Sequence, residues 1–107
     1  MVDFGNAVGS EPGFVRPAAL VTAQAVLDRR PRTVHVVPIT SNVGRSLPTE
    51  VRLDSDVLPK PSAAQCHLIT VISVERIIGA HETGRPAIGA TSLAQLRVVL
   101  AEMLDID

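Results

Sequence analysis

Aromatic residues are almost missing from this 107-residue chain: Phe4 and Phe14 are the only two, and there is no Trp or Tyr. A nucleic-acid platform built by stacking bases on aromatic rings is thereby excluded, so any RNA would be held by Arg, hydroxyls and backbone. Cysteine is equally scarce. Cys66 stands alone, which rules out an intrachain disulfide and a cysteine-based zinc site within one chain, and reads as a buried structural thiol. No apolar run approaches the roughly 18 residues that cross a bilayer, and no basic-then-apolar leader opens the sequence, so a cytoplasmic protein without membrane contact is expected. The phosphate-binding, dinucleotide, zinc-protease and nucleophile-elbow motifs are absent, and His35, His67 and His81 lack metal-ligand spacing. Neither metal nor cofactor is expected.

What is present suits one domain over residues 1–107, with 46% hydrophobic residues, 20% charged, 8 Pro and 7 Gly. The net charge is −1, yet residues 29–60 carry Arg29, Arg30, Arg32, Arg45, Arg52 and Lys60 against Glu50, Asp54 and Asp56. That local positive excess makes the rest of the chain acidic, and distribution matters more than the total for a polyanionic partner.

The periodicity is mostly that of strands. Val2–Phe4 reads as the tail of a strand, followed by a Gly-rich loop over Gly5–Gly13. Pro17–Thr22 reads as a strand, Ala23–Asp28 as a helical turn or irregular connection, and Arg29–Arg32 as a solvated basic turn. Thr33–Ile39 is the clearest strand, with Pro38 expected to turn its end into an edge or a bulge. In Thr49–Leu53, Val51 and Leu53 alternate with Glu50 and Arg52, the period of a half-buried strand. Ala63–Val74 holds one or two strands with a bulge near Thr70, and Glu75–Ile78 a single helical turn. Leu93, Leu96, Leu100 and Met103 then recur at helical spacing after Ser92 and Gln95, which can form a capping box, so the last element is an amphipathic helix.

Two strand ends carry the chemistry. Gly9-Ser10-Glu11-Pro12-Gly13, Phe14-Val15-Arg16-Pro17 puts an arginine where a loop enters a strand, and Pro38-Ile39-Thr40-Ser41-Asn42 puts hydroxyls and an amide where another ends. A guanidinium offers a planar fork of donors to phosphate oxygens, and a hydroxyl can position a phosphate or ribose oxygen. On residues alone the plainer reading comes first: Arg16 as a surface ion-pair former and Thr40 as a turn cap.

The order of these blocks, continued by Leu58-Pro59-Lys60, Ser62, Arg76-Ile77 and the terminal helix, resembles the MazF/PemK endoribonuclease toxins of bacterial toxin–antitoxin systems over almost the whole chain. The resemblance implies a mainly β fold with a C-terminal helix, an SH3-like small antiparallel barrel whose first strand is here shortened, and a homodimer. It implies a toxin that cleaves single-stranded RNA at short sequences without metal, by attack of the ribose 2′-OH on the adjacent phosphate. The products are 2′,3′-cyclic phosphate and 5′-OH ends, and translation and growth are inhibited. By position Arg16 matches the family's catalytic arginine, Thr40 its hydroxyl residue and Glu11 the acidic residue of its loop. Ser41 would support Thr40, and Ser10, Asn42, Arg45, Arg52 and Lys60 would bind RNA. The implied partner is a MazE-like antitoxin whose acidic, apolar tail covers the same surface as RNA. The sequence departs from the family at Gln65-Cys66-His67-Leu68 and at Thr70, where an Arg is common, and these departures bear on base recognition more than on cleavage. A CcdB-like, non-enzymatic toxin acting on a topoisomerase is the alternative, although its C-terminal aromatic is missing from Met103–Asp107. A decayed toxin that only binds antitoxin is a further one.

Overall fold

The longest strand organises the molecule. In a computed structural model that describes residues 1–5, 15–44, 47–53, 60–78 and 90–106, the β-branched run Thr33–Thr40 forms an eight-residue strand, β4. Seven strands and two helices are described: β1 (Val2–Asp3), β2 (Val15–Arg16), β3 (Ala18–Leu20), α1 (Gln24–Leu27), β4, β5 (Glu50–Leu53), β6 (Ser62–Gln65), β7 (Thr70–Ser73) and α2 (Ala90–Met103). Single 3₁₀ turns lie at Cys66–Leu68 and Val74–Arg76.

Successive side chains of a strand point to opposite faces, and β4 buries both. Val34 and Val36 meet Val2 and Ile72 in one core. Val37 and Ile39 meet Ala19, Val51, Leu53, Ala64, Leu96 and Leu100 in the other. This two-sided burial is why the strand reads as a nearly continuous apolar run.

β4 pairs antiparallel with β3 along one edge, and along the other first with β7 and then with β6, which carries β5 outside it. Pro38 therefore lies inside the central strand and is fully buried, neither at an edge nor at a bulge. The ladder explains how. Ile39 N–H donates to the Pro17 carbonyl and Val21 N–H to the His35 carbonyl, so odd-numbered positions of β4 face β3 and even-numbered ones face the opposite edge. There the rungs with β7 end at Val36–Thr70 and those with β6 begin at Ile39–Ala64. The donor that Pro38 lacks falls in the interval between them.

Pro17 makes the second corner. Val15–Arg16 pairs with β1, Ala18–Leu20 pairs with β4, and the proline between them lies outside both sets of paired residues while its carbonyl accepts the Ile39 N–H. An isolated bridge between Val2 and Ile77 ties β1 to the segment after β7. The strands thus curl around the Val2–Val34–Val36–Ile72 core as an open form of the small barrel, without a closed ring of ladders among the described residues.

The expected break in Ala63–Val74 is present, but it is the 3₁₀ turn at Cys66–Leu68 rather than a bulge at Thr70, which opens β7 opposite Val36. Helix α2 packs over β5 and that turn. Leu96 is fully buried, Leu100 nearly so, and Val99 packs beside them, whereas Met103 is 38% exposed. The inner seam stops at Leu100 because the core beneath it ends there. Ser92 lies inside the first turn of a helix already running from Ala90, so it is not the cap.

Cys66 is wholly buried, and burial pushes its thiol up to about 11. A neutral thiol is thus favoured in the folded chain, and the stability this contributes is complete below the ordinary value of 9.0 and lost as pH rises toward 11. Alkylation at pH 8 is expected to label Cys66 only after denaturant is added. Rapid labelling of the native protein, read by mass spectrometry, would contradict that burial.

Candidate active site

Three strand ends meet at one place. β2 stops at Arg16 because the next residue is proline, β4 stops at Thr40, and β6 begins at Ser62. The Pro17 carbonyl holds the Ile39 N–H at 2.9 Å, which brings the first end to the second, and the Thr40–Ala63 pair brings the third alongside. Among the described residues, Arg16, Pro17, Ile39, Thr40, Ser41, Lys60 and Ser62 line a cavity of about 270 Å³.

Its described walls carry two cations, three hydroxyls and no carboxylate. Arg16 is half-buried, and no described residue binds its guanidinium. Thr40 Oγ1 accepts the Asn42 N–H at 3.1 Å, which turns the chain out of β4 and leaves the hydroxyl proton free to be donated. Ser62 Oγ donates to the Lys60 carbonyl at 2.9 Å, fixing the turn that enters β6 while the Lys60 side chain stays exposed. An anionic phosphate group entering this space meets donors on both sides and no repelling charge from the described walls.

Of the residues expected from the sequence, Arg16, Thr40, Ser41 and Lys60 converge here. Asn42 is exposed and adjoins the cavity through its backbone bond to Thr40. Arg52 is exposed on β5, opposite Ala63, which in turn is opposite Thr40. Two strand spacings separate it from Thr40, roughly 10 Å. Ser10, Glu11 and Arg45 lie outside the described residues, as does His81. Arg29, Arg30 and Arg32 are exposed beyond the opposite end of β4, roughly 24 Å along the strand from Thr40. Gln65, Cys66, His67 and Thr70 do not line the cavity. His67 instead bonds through Nδ1 to Thr49 Oγ1 at 2.8 Å, and the described residues hold no cluster of three His, Cys, Asp or Glu suited to a metal ion.

Pro17, Ile39 and Ser62 were not among the expected site residues. Ser62 had a signal: a serine opening a strand just after Lys60-Pro61 can bond back to the carbonyl two residues earlier. Pro17 and Ile39 carry none, because an apolar wall reads from sequence as core.

Solved structures with this architecture include the Mycobacterium tuberculosis toxin MazF-mt6, with a TM-score of 0.69 and 29% identity over 86% of this chain and 88% of that one. MazF from Deinococcus radiodurans shares the fold at a TM-score of 0.74 and 20% identity, covering 98% and 90% of the two chains. A MazE–MazF complex from the same organism shares it at 0.67 and 18%, covering 86% and 87%. In sequence, the chain is 36% identical over 111 residues to the endoribonuclease MazF9 of M. tuberculosis, covering 98% of this chain and 91% of the relative. The family model of PemK-like, MazF-like toxins of type II toxin–antitoxin systems matches residues 1–104, and the chain belongs to that family.

Proposed function

We propose that this chain, an endoribonuclease toxin, cleaves single-stranded RNA sequence-specifically in the Arg16–Thr40 cavity by metal-independent transesterification. The observation that carries the reading is the convergence of Arg16, Thr40, Ser41 and Lys60 around one space of about 270 Å³. The scissile phosphate sits between Arg16 and Thr40. Arg16 donates its fork of N–H groups to the non-bridging oxygens, and this contact strengthens as charge gathers on them in the transition state. Thr40 and Ser41 hold the phosphate and the ribose so that the 2′-OH lies in line with the departing 5′-oxygen. A P–O bond to the 2′-oxygen forms, the P–O bond to the 5′-oxygen breaks, the proton lost by the 2′-OH is balanced by one gained at the leaving 5′-oxygen, which becomes the 5′-OH, and a 2′,3′-cyclic phosphate remains. Lys60, with Arg52 further along the sheet, binds neighbouring phosphates.

The toxin acts in the cytoplasm as a homodimer and is silenced by a MazE-like antitoxin. A disordered acidic tail can fold across the same cationic surface, its carboxylates standing where RNA phosphates stand, so antitoxin and RNA compete.

Incubation of the purified protein with single-stranded RNA in EDTA is expected to give 2′,3′-cyclic phosphate and 5′-OH ends. Binding should weaken with salt, log K falling against log salt with a slope of about −1.4 to −2.1 for two or three neutralised phosphates. An intact RNA in that assay, with antitoxin still bound tightly, would identify a decayed toxin instead. Ends bearing 3′-OH and 5′-phosphate would refute the mechanism.

A further inference from the structure

Arg16 reaches the cavity from a strand of two residues, and such a strand has little stiffness of its own. Its ladder with β1 consists of two pairs, Val2–Arg16 and Asp3–Val15. The Pro17–Ile39 bond holds the far end of β2, and on the near side, where β1 is just as short, the orientation of Arg16 depends on whatever holds β1.

Three contacts from the segment after β7 do so. Val2 is bridged to Ile77 and packs with it in the core beneath. Ile78 N–H donates to the Met1 carbonyl at 2.9 Å. Arg76, at the end of the 3₁₀ turn, donates through Nη1 to the Asp3 carbonyl at 3.2 Å. This last is the one hydrogen bond among the three made by a side chain, and it falls where β1 turns away. Asp3 also accepts the Gly5 N–H on Oδ1 at 2.9 Å, and Gly5 takes a left-handed φ of +71°. A methyl group on Gly5 would come within 3.3 Å of Arg76 Nη1. The turn at Gly5 is thus shaped around the guanidinium.

The geometry points to Arg76 as a positioning residue for the cleavage reaction: by holding the Asp3 carbonyl it fixes β1, and through the Val2–Arg16 pair it fixes the backbone from which Arg16 reaches the phosphate. The inference rests on the reaction proposed above for Arg16. Arg76 itself is exposed, does not line the cavity and touches no reacting atom.

Two measurements on Arg76→Gln and Arg76→Lys test it. The first is amide hydrogen exchange, which needs no RNA. In Arg76→Gln the amides of β1 and β2 are expected to exchange faster while those of β4 keep their protection, and Arg76→Lys is expected to restore part of the difference. The second is steady-state cleavage at a temperature where both variants are folded. A displaced catalytic donor lowers kcat, here by about tenfold in Arg76→Gln, with KM and the salt slope of binding unchanged. Unchanged exchange in β1 and β2 overturns the clamp. Faster exchange with unchanged kcat overturns its link to catalysis. A raised KM with a shallower salt slope makes Arg76 an RNA ligand and overturns the inference likewise. If the wild-type protein does not cleave RNA, the proposed reaction has failed and the link to catalysis with it, whereas the exchange measurement still decides the clamp.

Discussion

Replacing Arg16 with alanine is expected to reduce RNA cleavage by roughly 100- to 1,000-fold, the usual consequence of losing one preorganised donor to a developing oxyanion. The size follows from where the side chain sits. It is half-buried between Pro17 and the end of β4, where its charge is less screened than on an open surface, and no described residue binds it. Among the described residues, therefore, no other contact has to break before its donors reach the phosphate. The fold should survive, because what Arg16 gives the structure is its backbone pairing with Val2, and alanine keeps that. Arg16→Lys separates charge from geometry. An ammonium retains attraction for RNA but cannot present two parallel donors, so binding should be nearly restored while kcat stays low. Cleavage of a labelled RNA under single-turnover conditions, beside thermal melts of each variant, checks the set. A wild-type rate in Arg16→Ala would remove the residue from the mechanism.

Strands and site were legible to different degrees. Alternation placed β5, because Val51 and Leu53 go inward while Arg52 stays out. The β-branched run placed β4, but periodicity could not show that both its faces are buried or that its partner changes along one edge, and so Pro38 was expected at a margin. The turn at Cys66–Leu68 left no local mark, since a short apolar stretch fits strand and 3₁₀ turn alike. Met103 continues the helical spacing of Leu96 and Leu100, yet a helix can outrun the core it covers. For the site, residue types at the strand ends suggested phosphate chemistry, but residues alone favoured an ion pair and a cap. The deciding feature is spatial: the Pro17–Ile39 hydrogen bond and the Thr40–Ala63 pair draw three ends together, and no sequence window contains them all. The family resemblance supplied that knowledge because the order of the blocks carries it. Thr40 also shows that the two readings are compatible, for its hydroxyl does cap the turn, accepting from Asn42, and still has a proton to give.

The double variant Thr40→Val, Ser41→Ala is expected to lose about 100-fold in kcat, the scale on which a misplaced substrate slows an in-line displacement. Valine keeps the shape of threonine, so the loss isolates the hydroxyl. It also removes the acceptor for the Asn42 N–H, which should cost about 0.5–1.5 kcal/mol of stability. That is a small price beside the catalytic effect and is measurable separately by denaturant melts. In the proposed reaction the attacking group is the ribose 2′-OH, so the protein should never carry a phosphoryl group, whereas a nucleophilic Thr40 or Ser41 would pass through a covalent phosphoryl intermediate. Quenched reactions analysed by intact-mass spectrometry should show only the unmodified chain at every time point. A trapped phosphate on Thr40 or Ser41 would replace positioning with covalent catalysis. Full activity of the double variant would leave Arg16 and Lys60 as the groups that orient the phosphate.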